Sequence, residues 1–186
     1  MANREPLKDM QARLSERLRF ARTATVATAW LAVTAGRGNY LLPLRQAAEL
    51  LPISQWQAVP HTKPWFLGVM NIRGSLFGTV DLAQFISHVS GTDGDAGAGI
   101  AQDAAAMSEG PASVVTVNPA IEVNCALQVN GLAGLRSGDA FASSKPAHAD
   151  APPFFGLQFF DAGGARWQEI DLQILSRSPQ FLNISE

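Results

Sequence analysis

Few side chains in this 186-residue sequence are of types that carry chemistry, and their spacing limits what they can do. Cys125 is the single cysteine, so neither an intramolecular disulfide nor a cysteine-rich metal site can form. It lies in Val123-Asn124-Cys125-Ala126-Leu127-Gln128-Val129, where Val123, Cys125, Leu127 and Val129 share one face of a strand. That alternation points to a buried apolar cysteine, because a nucleophilic thiol would need a paired base. His61, His88 and His148 stand far apart, with no H-x-H or H-E-x-x-H spacing to mark metal ligands. The run Gly94-Asp95-Ala96-Gly97-Ala98-Gly99 is glycine-rich but lacks the G-x-G-x-x-G spacing of a phosphate cradle. No catalytic constellation, metal site or cofactor site is expected, and the chain reads as a non-enzyme.

The residue best placed for recognition is Arg73. The stretch from Pro64 to Ile86 holds two apolar runs separated by Asn71-Ile72-Arg73-Gly74 and ends in Val80-Asp81-Leu82. Two strands joined near a glycine fit it best, with Gly74 supplying the backbone freedom of a tight reversal. Asp81 is placed to cap a short helix that lays Leu82, Phe85 and Ile86 on the core. Arg73 then sits at the lip of a hairpin, facing water or a partner.

The G-x-x-N-I-R-G and V-D-L motifs of this stretch resemble the core of the CheW-like family, the adaptor domains of bacterial chemosensory arrays. Upstream, Tyr40-Leu41-Leu42-Pro43-Leu44 followed by Ala47-Ala48-Glu49-Leu50 is similar to the family's second strand and its V-x-E-[IV] step, with Ala47 in place of the valine. Pro60 to Pro64 resembles its proline-marked loop, and Ala126 to Leu135 its apolar strand with a G-L turn. The ending Trp167-Gln168-Glu169-Ile170-Asp171-Leu172, then Ser178 to Leu182, looks most like the PilI branch, which serves twitching motility driven by type IV pili. The resemblance implies a scaffold without chemistry of its own. Such a domain bridges the cytoplasmic tip of a methyl-accepting chemoreceptor and the regulatory domain of a histidine kinase in a two-component system. It implies partner-binding roles for Arg73, Gly68, Asn71, Gly74, Ala47 and Glu49. A ligand- or peptide-binding β-barrel outside any kinase array is the alternative reading.

Composition supports a binding protein of modest charge. Charged residues make up 16% of the chain and hydrophobic ones 47%, against a usual charged share of about 25%. A formal charge of −2 and a pI near 5.9 argue against nucleic acid as a partner, which would call for clustered lysine and arginine. Charge is uneven, however. Arg4, Lys8, Arg13, Arg17, Arg19 and Arg22 face only Glu5, Asp9 and Glu16, which gives the first 22 residues +3 and leaves −5 on the remainder. Leu7, Met10, Leu14 and Leu18 recur there at helical spacing.

The elements that must position these residues read mainly as strands. They are expected over Trp30 to Thr34, Tyr40 to Leu44, Phe66 to Ile72, Leu76 to Leu82, Val114 to Val117, Ile121 to Val129, Phe154 to Phe160 and Trp167 to Leu172. The Ser90 to Ala112 run is nearly all Gly, Ala, Ser, Asp and Gln, and Phe141 to Pro153 forms a second irregular connection. The organisation expected is an amphipathic helical arm over 1–24 and one domain over 25–186, with a mobile insert at about 90–112. No stretch reaches the ~18 uninterrupted apolar residues of a spanning helix, so a cytoplasmic protein without direct membrane insertion is expected. From the residues alone the fold class is all-β with an N-terminal α-helix. The family resemblance sharpens this to two interlocked five-stranded, SH3-like β-barrel subdomains sharing a core.

Overall fold

The computed structural model describes residues 29–91 and 112–186. The expected helical arm over 1–24 and the greater part of the 90–112 insert lie outside the described residues. Among the described residues, eleven strands form two antiparallel-dominated sheets. The six-stranded sheet combines β1 (Ala29–Ala35), β2 (Gly38–Pro43), β8 (Gly131–Ser137), β9 (Phe141–Lys145), β10 (Phe155–Asp161) and β11 (Arg166–Ile170), in the order β8-β1-β2-β11-β10-β9. The five-stranded sheet combines β3 (Ala47–Pro52), β4 (Phe66–Ile72), β5 (Ser75–Asp81), β6 (Ser113–Val117) and β7 (Cys125–Val129), in the order β3-β6-β7-β5-β4. Two parallel pairings, β2 with β11 and β5 with β7, join chain segments far apart in sequence.

Local chemistry explains the turns and helices. Gly36, with φ of 57°, makes the β1–β2 reversal, and Asp161 to Arg166 makes the β10–β11 hairpin. The two V/I-D-L steps behave alike. Asp81 accepts the Gln84 N–H at the start of α1 (Leu82–Ser90), and Asp171 accepts the Gln173 and Ile174 N–H groups of α2 (Leu172–Leu175). A last short helix, α3 (Pro179–Leu182), turns Phe181 into the core.

Three apolar clusters fill the molecule. The largest draws on both sheets: Leu31, Val33, Tyr40 and Leu42 meet Val80, Val115, Leu127 and Val129, with Trp65, Phe85 and Phe181 between them. A second cluster of Trp30, Ala32, Leu41, Phe159 and Trp167 fills the curl of the six-stranded sheet. A third, of Met70, Ile72, Val114 and Ala126, fills the curl of the five-stranded one.

Four expectations are corrected. The strand numbers are six and five, and neither sheet closes its backbone ladder into a barrel, because no ladder joins β8 to β9 or β3 to β4. Side chains span those seams instead. At β8 and β9, the Arg136 guanidinium of β8 lies 5.9 Å from the Phe141 ring of β9, and it reaches on to the Trp167 ring of β11 at 4.4 Å and the Asp161 carboxylate of β10 at 3.7 Å. Phe141 to Lys145, expected to be irregular, is strand β9; its Ala-Ser-Ser-Lys run is exposed on a sheet edge, so no apolar alternation marked it. The strand expected from Ile121 begins only at Cys125, since Pro119–Ile121 forms a 3-10 turn capped by the Asn118 side chain. Gly131–Ser137, expected as the tail of an earlier strand, is β8 in its own right, and it lies in the other sheet.

Candidate functional site

The β4–β5 hairpin reverses in two residues. Ile72 pairs with Ser75, and Arg73 and Gly74 between them have φ of 51° and 87°. Positive φ at both central positions is the turn whose twist suits a hairpin, and Gly74 takes it without steric penalty. The Gly74 N–H donates to Asn71 Oδ1 at 2.9 Å, so the asparagine fastens the turn from within. This geometry lifts Arg73 off the sheet, leaving its side chain 75% exposed.

Its guanidinium meets Glu49 of β3, with Nη2 to Oε2 at 3.1 Å. Glu49 stands where the β3–β6 register shifts between Ala47 and Leu50, and its backbone N–H donates to Thr116 Oγ1 at 2.9 Å. The pair therefore crosses the open seam of the five-stranded sheet. An exposed ion pair contributes little to stability, roughly 0–1 kcal/mol, so its main consequence here is that a donor and an acceptor lie side by side at the surface. An arginine offers five N–H donors in a fixed fork, and the contact with Glu49 leaves most of that fork open to solvent. Leu76, the cross-strand partner of Asn71, is 63% exposed and adds an apolar contact beside it.

The six residues singled out by sequence thus divide. Arg73, Asn71, Gly74 and Glu49 gather at the hairpin tip and the facing edge of β3. Gly68 and Ala47 do not reach the surface presented there. Gly68, at φ of 134°, lies beneath the backbone of Gln57, and a Cβ at this position would overlap the Gln57 carbonyl. That close approach allows reciprocal bonds between Gln57 and Val69, at 2.7 and 2.9 Å, which tie the incoming loop to β4 across the same seam. Ala47 faces Val117 and packs on the main core. Thr116 and Gln57 were not legible as parts of this site, since nothing in their type or spacing marks them.

Further apolar surface lies on β8. Leu132 and Leu135 pair with Val33 and Leu31, which are buried in the main core, yet they are themselves 49% and 68% exposed. The apolar reading of Cys125 also holds. Its side chain is buried, and desolvation pushes the thiol up to about 12, far from a reactive thiolate. His148 Nδ1 lies 3.3 Å from the Asp150 carboxylate, and both side chains are exposed on a loop. Among the described residues no group of three His, Cys, Asp or Glu side chains is arranged to hold a metal, and no helix is long and apolar enough to cross a membrane.

No curated protein is significantly similar to the chain in sequence. The fold has a structural relative in the scaffolding protein TtCheW from Thermoanaerobacter tengcongensis. The match has a TM-score of 0.55 and 12% identity, and it covers 78% of this chain and 89% of that one. At that identity the likeness speaks for the fold. The sequence itself matches the CheW-like domain over residues 29–156, more than half of its length. That match contains both sides of the Arg73–Glu49 seam, and the chain belongs to the CheW-like domain family.

Proposed function

We propose that the protein is a non-enzymatic chemosensory adaptor that couples a chemoreceptor to a histidine kinase. The observation that carries this reading is the Arg73–Glu49 pair, an exposed donor and acceptor set beside Leu76 at the tip of a two-residue hairpin. Such a pair suits the capture of a helical or hairpin protein surface that presents carboxylates and backbone carbonyls. In this reading Arg73 is the main contact with the receptor's cytoplasmic tip. Glu49 holds and complements it, Asn71 and Gly74 shape the turn, and Gly68 and Ala47 act from beneath. The kinase's regulatory domain is bound through another face, and the protein works in the cytoplasm without entering the membrane.

The W-x-E-I-D-L ending, whose Asp171 caps α2, supports assignment to the pilus-driven twitching branch of the family. The alternative, a barrel that encloses a ligand, has less support. The curls of both sheets are filled by their own side chains, with Trp30, Phe159 and Trp167 in one and Met70 and Ile72 in the other. Affinity capture from native extract tests the adaptor reading. Wild type should recover a receptor and a histidine kinase, and folded Arg73→Glu should lose the receptor selectively. Recovery of neither by wild type would turn the assignment toward an isolated binding module.

A further inference from the structure

The chain passes from the six-stranded sheet to the five-stranded one through the short connection between Pro43 and Ala47, and one residue there is bonded at every polar group. The Gln46 N–H donates to the Pro43 carbonyl at 2.8 Å, and its carbonyl accepts the Asn118 N–H at 2.8 Å. Its side chain reaches the other way. Oε1 accepts the Leu172 N–H at 2.7 Å, and Nε2 donates to Asp171 Oδ1 at 3.1 Å. A single glutamine thus ties the end of β2, the turn after β6 and the first turn of α2 to one point. Asn118 adds a second tie from its Nδ2 to the Arg45 carbonyl at 3.0 Å.

The acidic half of the candidate site lies just downstream of this anchor. Three residues on, Glu49 must emerge at the irregular step in β3 with its carboxylate aimed across the seam at Arg73. Beyond Gln46, Glu49 is restrained by the Thr116 hydroxyl, the remaining ladder to β6, the Asn118 tie to Arg45 and the Arg73 guanidinium itself. A glutamine fits the position because it offers an acceptor and a donor on one planar group. The acceptor takes a helix N–H that has no partner within its helix, and the donor meets a carboxylate oxygen that is already capping. Alanine would release the anchor without adding charge, whereas glutamate would set a second carboxylate against Asp171.

We infer that Gln46 is a positioning residue of the receptor-facing site, acting through Glu49 by anchoring the start of β3 to the first turn of α2. The inference rests on the adaptor reading for its functional consequence, but its structural core can be tested without any partner. In Gln46→Ala, amide hydrogen exchange over residues 47–51 should speed up at least fivefold while exchange in β10 and β11 stays unchanged. Unchanged exchange over 47–51 would overturn the inference whatever the protein binds.

The second readout uses a purified cytoplasmic fragment of a chemoreceptor from the same cells, titrated in a double-mutant cycle. Gln46→Ala should weaken binding about fivefold to tenfold in the wild-type background and by less than twofold in the Glu49→Ala background. Equal losses in both backgrounds would show that Gln46 does not act through Glu49. Should wild type itself fail to bind the fragment, the adaptor reading fails, and the exchange result still decides the positioning role. Asn118→Ala serves as a second variant that loosens the same connection should Gln46→Ala fold poorly.

Discussion

Individual residues show how much function here depends on surroundings. Arg73 and Glu49 are ordinary surface residue types, and what sets them apart is that a two-residue turn and an irregular strand step aim them at each other. Arg73 was legible in the sequence because Asn71 and Gly74 announce the turn around it. Gln46 was not, because its importance comes from partners more than a hundred positions away. Cys125 was legible as a buried residue from its period-2 neighbours, and burial has a measurable consequence. Desolvation raises its thiol from 9.0 to about 12, and desolvation likewise raises Tyr40 from 10.0 to about 12. The folded protein then holds both protons where the unfolded chain has begun to release them, so these groups subtract stability as pH rises from about 9 to 12. Denaturant melts should therefore show stability falling over that interval, with a shallower fall in Cys125→Ala. Native Cys125 should also resist thiol reagents at about pH 8 and react promptly once unfolded.

At the scale of elements, sequence spoke clearly wherever a side chain served the backbone next to it. The Asp81 and Asp171 caps, the Gly36 turn and the β4–β5 hairpin all lie within four residues of the groups that explain them. It spoke poorly where the partner strand decides. β9 shows no apolar alternation because it lies exposed on an edge, and the separation of β7 from β8 depends on which sheet each joins. Gly68 is the sharpest case of a residue whose structural role depends on a segment distant from its own strand. Its positive-φ backbone and the overlying Gln57 leave no space for a side chain, and the glycine holds that loop against β4. Gly68→Ala should destabilise the protein by at least about 2 kcal/mol in thermal melts, with faster proteolysis around Gln57. A neutral outcome would mean that the loop lies elsewhere.

For the whole molecule, the decisive feature is that two sheets share one core. Trp65 sits at its centre, 5.0 Å from the Phe85 ring and stacked on Phe181 at 6.2 Å, so residues before β4, on α1 and on α3 meet at one point. Trp65→Ala should cost about 4 kcal/mol, and calorimetry and circular dichroism should still report one coincident transition. Two separated transitions would mean that the halves fold independently. The shared core also packs the sheet that carries the hairpin against the one that carries the strands leading into α2. The claim on which the account turns is that the Arg73–Glu49 seam faces the receptor, and the measurement that tests it most directly is a calorimetric titration with a purified receptor cytoplasmic fragment. Arg73→Glu, folded by circular dichroism, should weaken binding by about 2 kcal/mol or more, roughly thirty-fold. Binding by the folded variant as tight as by wild type would remove Arg73 from the interface and contradict it.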